Sequence, residues 1–148
     1  MKALIVGLLI MLAASLIIAE PSKQDLAKKD MDGIQGTWKI VTLEADGKQA
    51  PAEIVATLKF VFKDDTLTIV PGEPSFTNYK FKLDRATKPA GFSMTHADGT
   101  QKGQTDEGIY ALNGDDLKIC FCLSGKIPKE FTAKAKSGQW MYSLEREK

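Results

Sequence analysis

The chain has 148 residues, with 20 Lys and Arg against 19 Asp and Glu, a formal net charge of +1. The two signs are interspersed with no block of either, so nothing electrostatic points to nucleic acid or an anionic membrane surface as partner. A single histidine excludes a multi-histidine metal site.

Lys2 is followed by an unbroken apolar run over residues 3–19, and Glu20-Pro21-Ser22-Lys23 then turns polar. That profile predicts an export signal over residues 1–19 with cleavage near Ala19, although Ile17 stands where a small residue is preferred. The alternative is an uncleaved anchor, the run being at the lower limit for a spanning helix. No cysteine lies at the boundary, which excludes a lipoprotein anchor. With the signal removed, 148 residues less 19 leaves 129, with 19 basic and 19 acidic side chains. This is enough for one domain with its own core, destined for a secreted or periplasmic location and free of the membrane after cleavage.

Residues 20–34 form a polar lead-in with a short helix, Ser22 serving as N-cap and Asp25 as the acidic partner of a capping box. From Gly36 onward the period changes to two. Residues 38–44 predict a strand that ends at the turn Ala45-Asp46-Gly47-Lys48, and residues 51–56 an irregular piece or one helical turn. Residues 57–63 put Leu58, Phe60 and Phe62 on one face; Lys63-Asp64-Asp65 then turns into a strand over 66–70. After Pro71-Gly72-Glu73-Pro74 the strand 76–83 carries Thr77, Tyr79, Phe81 and Leu83 on one face and Asn78, Lys80 and Lys82 on the other. Lys88-Pro89-Ala90-Gly91 breaks the chain before Phe92, Met94 and His96 alternate with Ser93, Thr95 and Ala97. Asp98-Gly99 and Asn113-Gly114-Asp115-Asp116 are turn signals on either side of a strand over 105–112. Leu117, Ile119, Phe121 and Leu123 form the next inward face, residues 124–138 a lysine-rich connection, and Trp140, Tyr142 and Leu144 the last strand.

Eight strands, each with one apolar face and mostly joined by tight turns, predict an all-β, up-and-down antiparallel β-barrel, since closure removes both exposed sheet edges. At eight strands the interior either fills with side chains or holds one small ligand. Walls for such a ligand would come from Leu58, Phe60, Phe62, Tyr79, Phe81, Phe92, Met94 and Tyr142, with His96 sharing the face of Phe92 and Met94. So many large inward aromatics equally suit a filled barrel acting as an envelope or protein-interaction module.

Gln35-Gly36-Thr37-Trp38 and its continuation to Lys48 resemble the opening of an uncharacterised lipocalin-like domain family found mainly in planctomycete bacteria. Further matches follow in order: residues 58–68, Phe81-Lys82-Leu83-Asp84 with Lys88-Pro89, residues 108–121, and Leu144-Glu145-Arg146. The resemblance covers residues 35–148 and implies a secreted calycin-type barrel domain, with no assigned activity to carry over. In lipocalins an arginine near the C-terminus lies across the tryptophan of the first motif, so the resemblance implies a barrel-end lid of Gly36, Trp38 and Arg146. Thr105-Asp106-Glu107 with Tyr110 is a weaker likeness to the second lipocalin motif and lacks its aromatic third position.

Cys120 and Cys122, two apart on a strand, point to one face with Cα atoms about 6.5–7 Å apart, near or beyond the disulfide limit. Three readings stay open: two small packed residues, a strained disulfide made across a bulge, or part of a soft-metal site whose other ligands are not evident. Asp64-Asp65 and Asp115-Asp116 sit in hairpin turns, where aspartate serves local hydrogen bonding, and Asp106 and Glu107 face opposite sides of a strand. No phosphate-binding loop, nucleophile elbow, zinc-protease motif or Cys-x-x-Cys pair is present. No enzyme activity, cofactor or metal is therefore expected, and a small hydrophobic or amphipathic molecule is the leading partner.

Overall fold

The computed structural model describes residues 18–71 and 78–148. The apolar run up to residue 17, the turn at 72–74 and the strand start at Phe76 and Thr77 lie outside the described residues. No helix among those described is long and apolar enough to cross a membrane.

Helix α1, Lys23–Gly33, opens on the expected capping box: the Asp25 amide donates to Ser22 Oγ at 3.1 Å, and the Ser22 amide donates back to Asp25 Oδ2 at 3.2 Å. These Ser22 bonds also hold the Asp25 carboxyl below its ordinary pKa. Nine strands follow: β1 Gly36–Ala45, β2 Lys48–Gln49, β3 Lys59–Lys63, β4 Thr66–Val70, β5 Asn78–Asp84, β6 Gly91–His96, β7 Thr105–Asn113, β8 Asp116–Cys122 and β9 Gln139–Arg146. A four-residue helix α2, Ala52–Val55, lies between β2 and β3. Each of β3 to β8 pairs with the next, antiparallel throughout, and β1 pairs with both β3 and β9. The result is a closed eight-stranded up-and-down barrel, as the alternation predicts. The stub β2, read from sequence as a plain turn, adds only a short flap on the outer end of β1.

Closure depends on a bulge that the alternation does not reveal. Ile40 faces Leu144 and Thr42 faces Ser143, so Val41 is the extra residue, 48% exposed. Trp38 and Ile40 point inward below it and Leu43 above it, which bends β1 away from β3 after Lys39. The connection carrying α2 fills that split: the Ala50 amide donates to Leu43 O, and Val55 is buried in the core.

Chain direction gives the barrel two different ends. α1 and the turns after β3, β5 and β7 lie at one end; the connections after β1, β4, β6 and β8 lie at the other. At the α1 end the interior is solid. Trp38, Phe62, Leu67, Phe81, Phe92, Leu117, Ile119 and Leu144 are each at most 2% exposed. Their rings meet edge-on or stacked, with Phe62 5.0 Å from Phe81 and Phe81 6.0 Å from Phe92. Gly108 is the interior position without a side chain, and a Cβ there would lie 2.4 Å from Cys120 O and 2.9 Å from Phe121 Cβ. Only glycine lets β7 and β8 approach so closely.

α1 is pinned on the solid end by a buried polar network. Asp30, 7% exposed, accepts from Tyr110 Oη at 2.7 Å and pairs with Arg85 Nε at 2.7 Å. Gln35 reaches the β3–β4 turn from the same end, donating to Asp64 O and accepting from the Asp64 amide. Leu123, expected on the inward face of β8, instead lies past the strand end and is 58% exposed, because β8 stops at Cys122 where the chain leaves the barrel wall.

Candidate functional site

Above the packed aromatic layers the barrel is not filled. A cavity of about 480 Å³ occupies the end away from α1. Its walls are the uppermost inward residues of seven strands or their flanks: Leu58, Ile69, Tyr79, His96, Asp106, Phe121 and Trp140, with Met94 and Tyr142 as floor. Pro71, Gln101 and Leu123 from the connections complete the rim. Of the nine wall residues expected from sequence, Leu58, Tyr79, Met94, His96 and Tyr142 line this cavity. Phe60, Phe62, Phe81 and Phe92 do not; they lie deeper, where they pack against one another and close off the floor. Phe60, 3% exposed, sits 5.1 Å from the Tyr142 ring and supports it from below. The alternation identifies the inward face but not the height at which each residue sits.

Two stretches of the wall differ in chemistry. On β8 and β9 the rings of Phe121, Trp140 and Tyr142 form a stack, Phe121 lying 6.4 Å from Trp140 and 5.7 Å from Tyr142 at 15° and 18°. On β5, β6 and β7 stand Tyr79, His96 and Asp106. His96 is 5% exposed, its ring 4.8 Å from that of Tyr79, and its Nε2 lies 3.0 Å from Asp106 Oδ2. Burial, with the nearby Asp106 and Asp98 carboxylates, pushes the Tyr79 phenol up to about 12. Burial also raises that of Tyr142, so both hydroxyls remain protonated donors at neutral pH.

Asp106, Phe121, Trp140 and Ile69 extend the set read from sequence. A signal for Asp106 existed: on β7 it shares its face with Gly108, Tyr110 and Leu112, which places it inward. Of the rim residues, Leu123 ends the alternation of β8, while Pro71 and Gln101 come from connections and carry no periodic signal.

The opposite end carries the lid. The Arg146 guanidinium lies 4.3 Å from the Trp38 ring centroid, while Nη1 donates to Gln35 O at 2.7 Å, Nη2 to Gly33 O, and Nε to Asp115 Oδ1 at 3.0 Å. The indole Nε1 donates to Ile34 O at 2.8 Å. Gly36, at φ +115°, turns the chain beneath the arginine, and a Cβ there would stand 3.3 Å from Nη1. Trp38 and Arg146 thus join α1 to the barrel and are remote from the cavity. The other turn carboxylates are bound locally too, Asp65 pairing with Lys80 at 2.7 Å, a contact that keeps its carboxyl below the ordinary pKa.

Cys120 and Cys122 are free thiols on the outer face of β8, at 0% and 2% exposure. The long connection 123–138 covers them. Cys120 Sγ donates to Thr132 O at 3.4 Å; Cys122 Sγ lies 2.9 Å from Ser124 Oγ and 3.5 Å from Ser137 O. Burial raises the Cys120 thiol above its ordinary pKa. Among the described residues no cluster of three or more His, Cys, Asp or Glu side chains could hold a metal ion.

No protein-family model, curated protein or solved structure matches the chain.

Proposed function

We propose that the mature chain is an exported, non-enzymatic barrel of lipocalin-like type that holds a small hydrophobic or amphipathic molecule in the open end. The observation that carries this reading is the cavity of about 480 Å³, within the range of small-molecule sites and lined mainly by apolar and aromatic side chains around a few polar groups. The solid half beneath it supplies what such a site needs, a rigid floor that holds the walls apart. The resemblance of residues 35–148 to a secreted lipocalin-like family supports export and barrel type together.

Native mass spectrometry of the protein purified from the cells that make it tests this reading. The expected result is the polypeptide mass plus a discrete small-molecule mass that is lost on denaturation. A bare polypeptide mass, with no uptake of added amphiphiles, overturns it. The packed aromatic half favours the second reading, a barrel that serves as an envelope or interaction module, and complexes with other proteins in the same spectra would support that instead.

A further inference from the structure

The polar groups in the cavity are unevenly distributed in charge. Among its described lining residues none is lysine or arginine, and Asp106 is the one carboxylate. Asp106 is anchored rather than free to swing away: His96, almost fully buried, holds its Oδ2 at 3.0 Å, while the Asp106 side chain keeps 20% of its surface exposed. The carboxylate and the imidazole thus stand side by side in the cavity wall. Asp98, just outside the lining, accepts from Asn78 Nδ2 at 2.8 Å and adds to the same negative field, the field that disfavours a Tyr79 phenolate. Beside Asp106, on the next two strands β8 and β9, stand the stacked rings of Phe121, Trp140 and Tyr142. An aromatic face attracts a cation, a fixed carboxylate accepts its N–H donors, and a partly desolvated site strengthens both effects.

Resting on the reading of the cavity as a binding site, we propose that its ligands are amphipathic amines: a protonated ammonium head bound by Asp106 against the aromatic wall, with an apolar tail among Leu58, Ile69 and Met94. His96 is a positioning residue that orients the carboxylate. A carboxylate-headed amphiphile is disfavoured, because its charge would be desolvated beside Asp106 with no lysine or arginine in the described lining to receive it.

Calorimetric titration of the mature chain with decylamine, decanol and sodium decanoate at neutral pH tests the proposal. Decylamine is expected to bind about tenfold to a hundredfold more tightly than decanol, the ratio a charged hydrogen bond provides, and decanoate more weakly than either. Asp106→Asn keeps an acceptor for His96 and removes the charge. It should lower decylamine affinity to that of decanol, and an unchanged far-ultraviolet circular dichroism spectrum and urea midpoint certify that the variant is folded. Equal binding of all three amphiphiles, preferred binding of decanoate, or an Asp106→Asn variant that keeps its amine preference overturns the amine proposal while leaving the cavity reading intact. Failure of all three to bind overturns both.

Discussion

Replacing Trp38 by alanine tests the lid at the solid end. The indole is fully buried and donates to Ile34 O. Truncating a large buried aromatic to alanine costs about 3–5 kcal/mol, and the orphaned Ile34 carbonyl puts this site toward the upper figure. Arg146→Ala removes bonds to Gln35 O, Gly33 O and Asp115. These lie at the partly exposed rim, where water replaces the lost donor, so about 2 kcal/mol is expected. The two side chains touch at 4.3 Å, and a partly buried cation–π contact contributes about 1 kcal/mol. The double variant should therefore fall short of the summed single losses by about that coupling. Urea unfolding followed by circular dichroism gives the four stabilities. Trp38→Phe can replace Trp38→Ala if the latter leaves too little of a typical domain stability of about 5–15 kcal/mol. Additivity within about 0.5 kcal/mol would refute the argument that the arginine stabilises the fold through the tryptophan.

All three tyrosines, Tyr79, Tyr110 and Tyr142, are buried with phenols raised chiefly by burial, Tyr110 also through its bond to Asp30. A phenol whose folded pKa exceeds its unfolded value near 10 contributes stability that is intact below about pH 10 and is lost as pH rises through the folded value. Stability should thus begin to fall above about pH 10, and phenolate absorbance at 295 nm should appear together with loss of the far-ultraviolet signal; phenolate forming near pH 10 in a still-folded protein would contradict the burial. The buried thiols Cys120 and Cys122 should resist alkylation in the native protein and take two adducts in denaturant without reduction. Adducts only after reduction would mean an intramolecular bridge and a rearranged β8. Export should remove about nineteen residues, so the intact mass of the exported protein should lack residues 1–19; a mass that retains them would mean an anchor.

The barrel was legible because inward positions alternate with polar ones on nearly every strand, as in Phe92, Met94 and His96 against Ser93 and Thr95. The contact between Trp38 and Arg146 carries no periodic signal, since the two residues lie at opposite ends of the barrel sequence. The bulge at Val41 was not legible, because one extra residue only shifts the phase of alternation between Ile40 and Leu43. Alternation also says nothing of height, so Phe60, Phe62, Phe81 and Phe92 read as possible walls when they are floor. Asp106 and Glu107 face opposite sides of β7, and the alternation alone does not say which side is inward; the face Asp106 shares with Tyr110 does. The cover over Cys120 and Cys122 was invisible for a different reason. Residues 124–138 are lysine-rich and aperiodic, and the carbonyls of Thr132 and Ser137 are among the groups with which they cover the thiols.

The claim that matters most is that the open end, and no other surface, receives the ligand. Two-dimensional NMR of the labelled mature chain during titration with decylamine locates the binding site directly. Resonances of Tyr79, Met94, His96, Asp106 and Phe121 and the indole of Trp140 should shift together and saturate, while the Trp38 indole and the amides of α1 stay in place. Shifts confined to the outer groove between Lys82, Ile109 and Pro128, or to the Trp38 end, would contradict it.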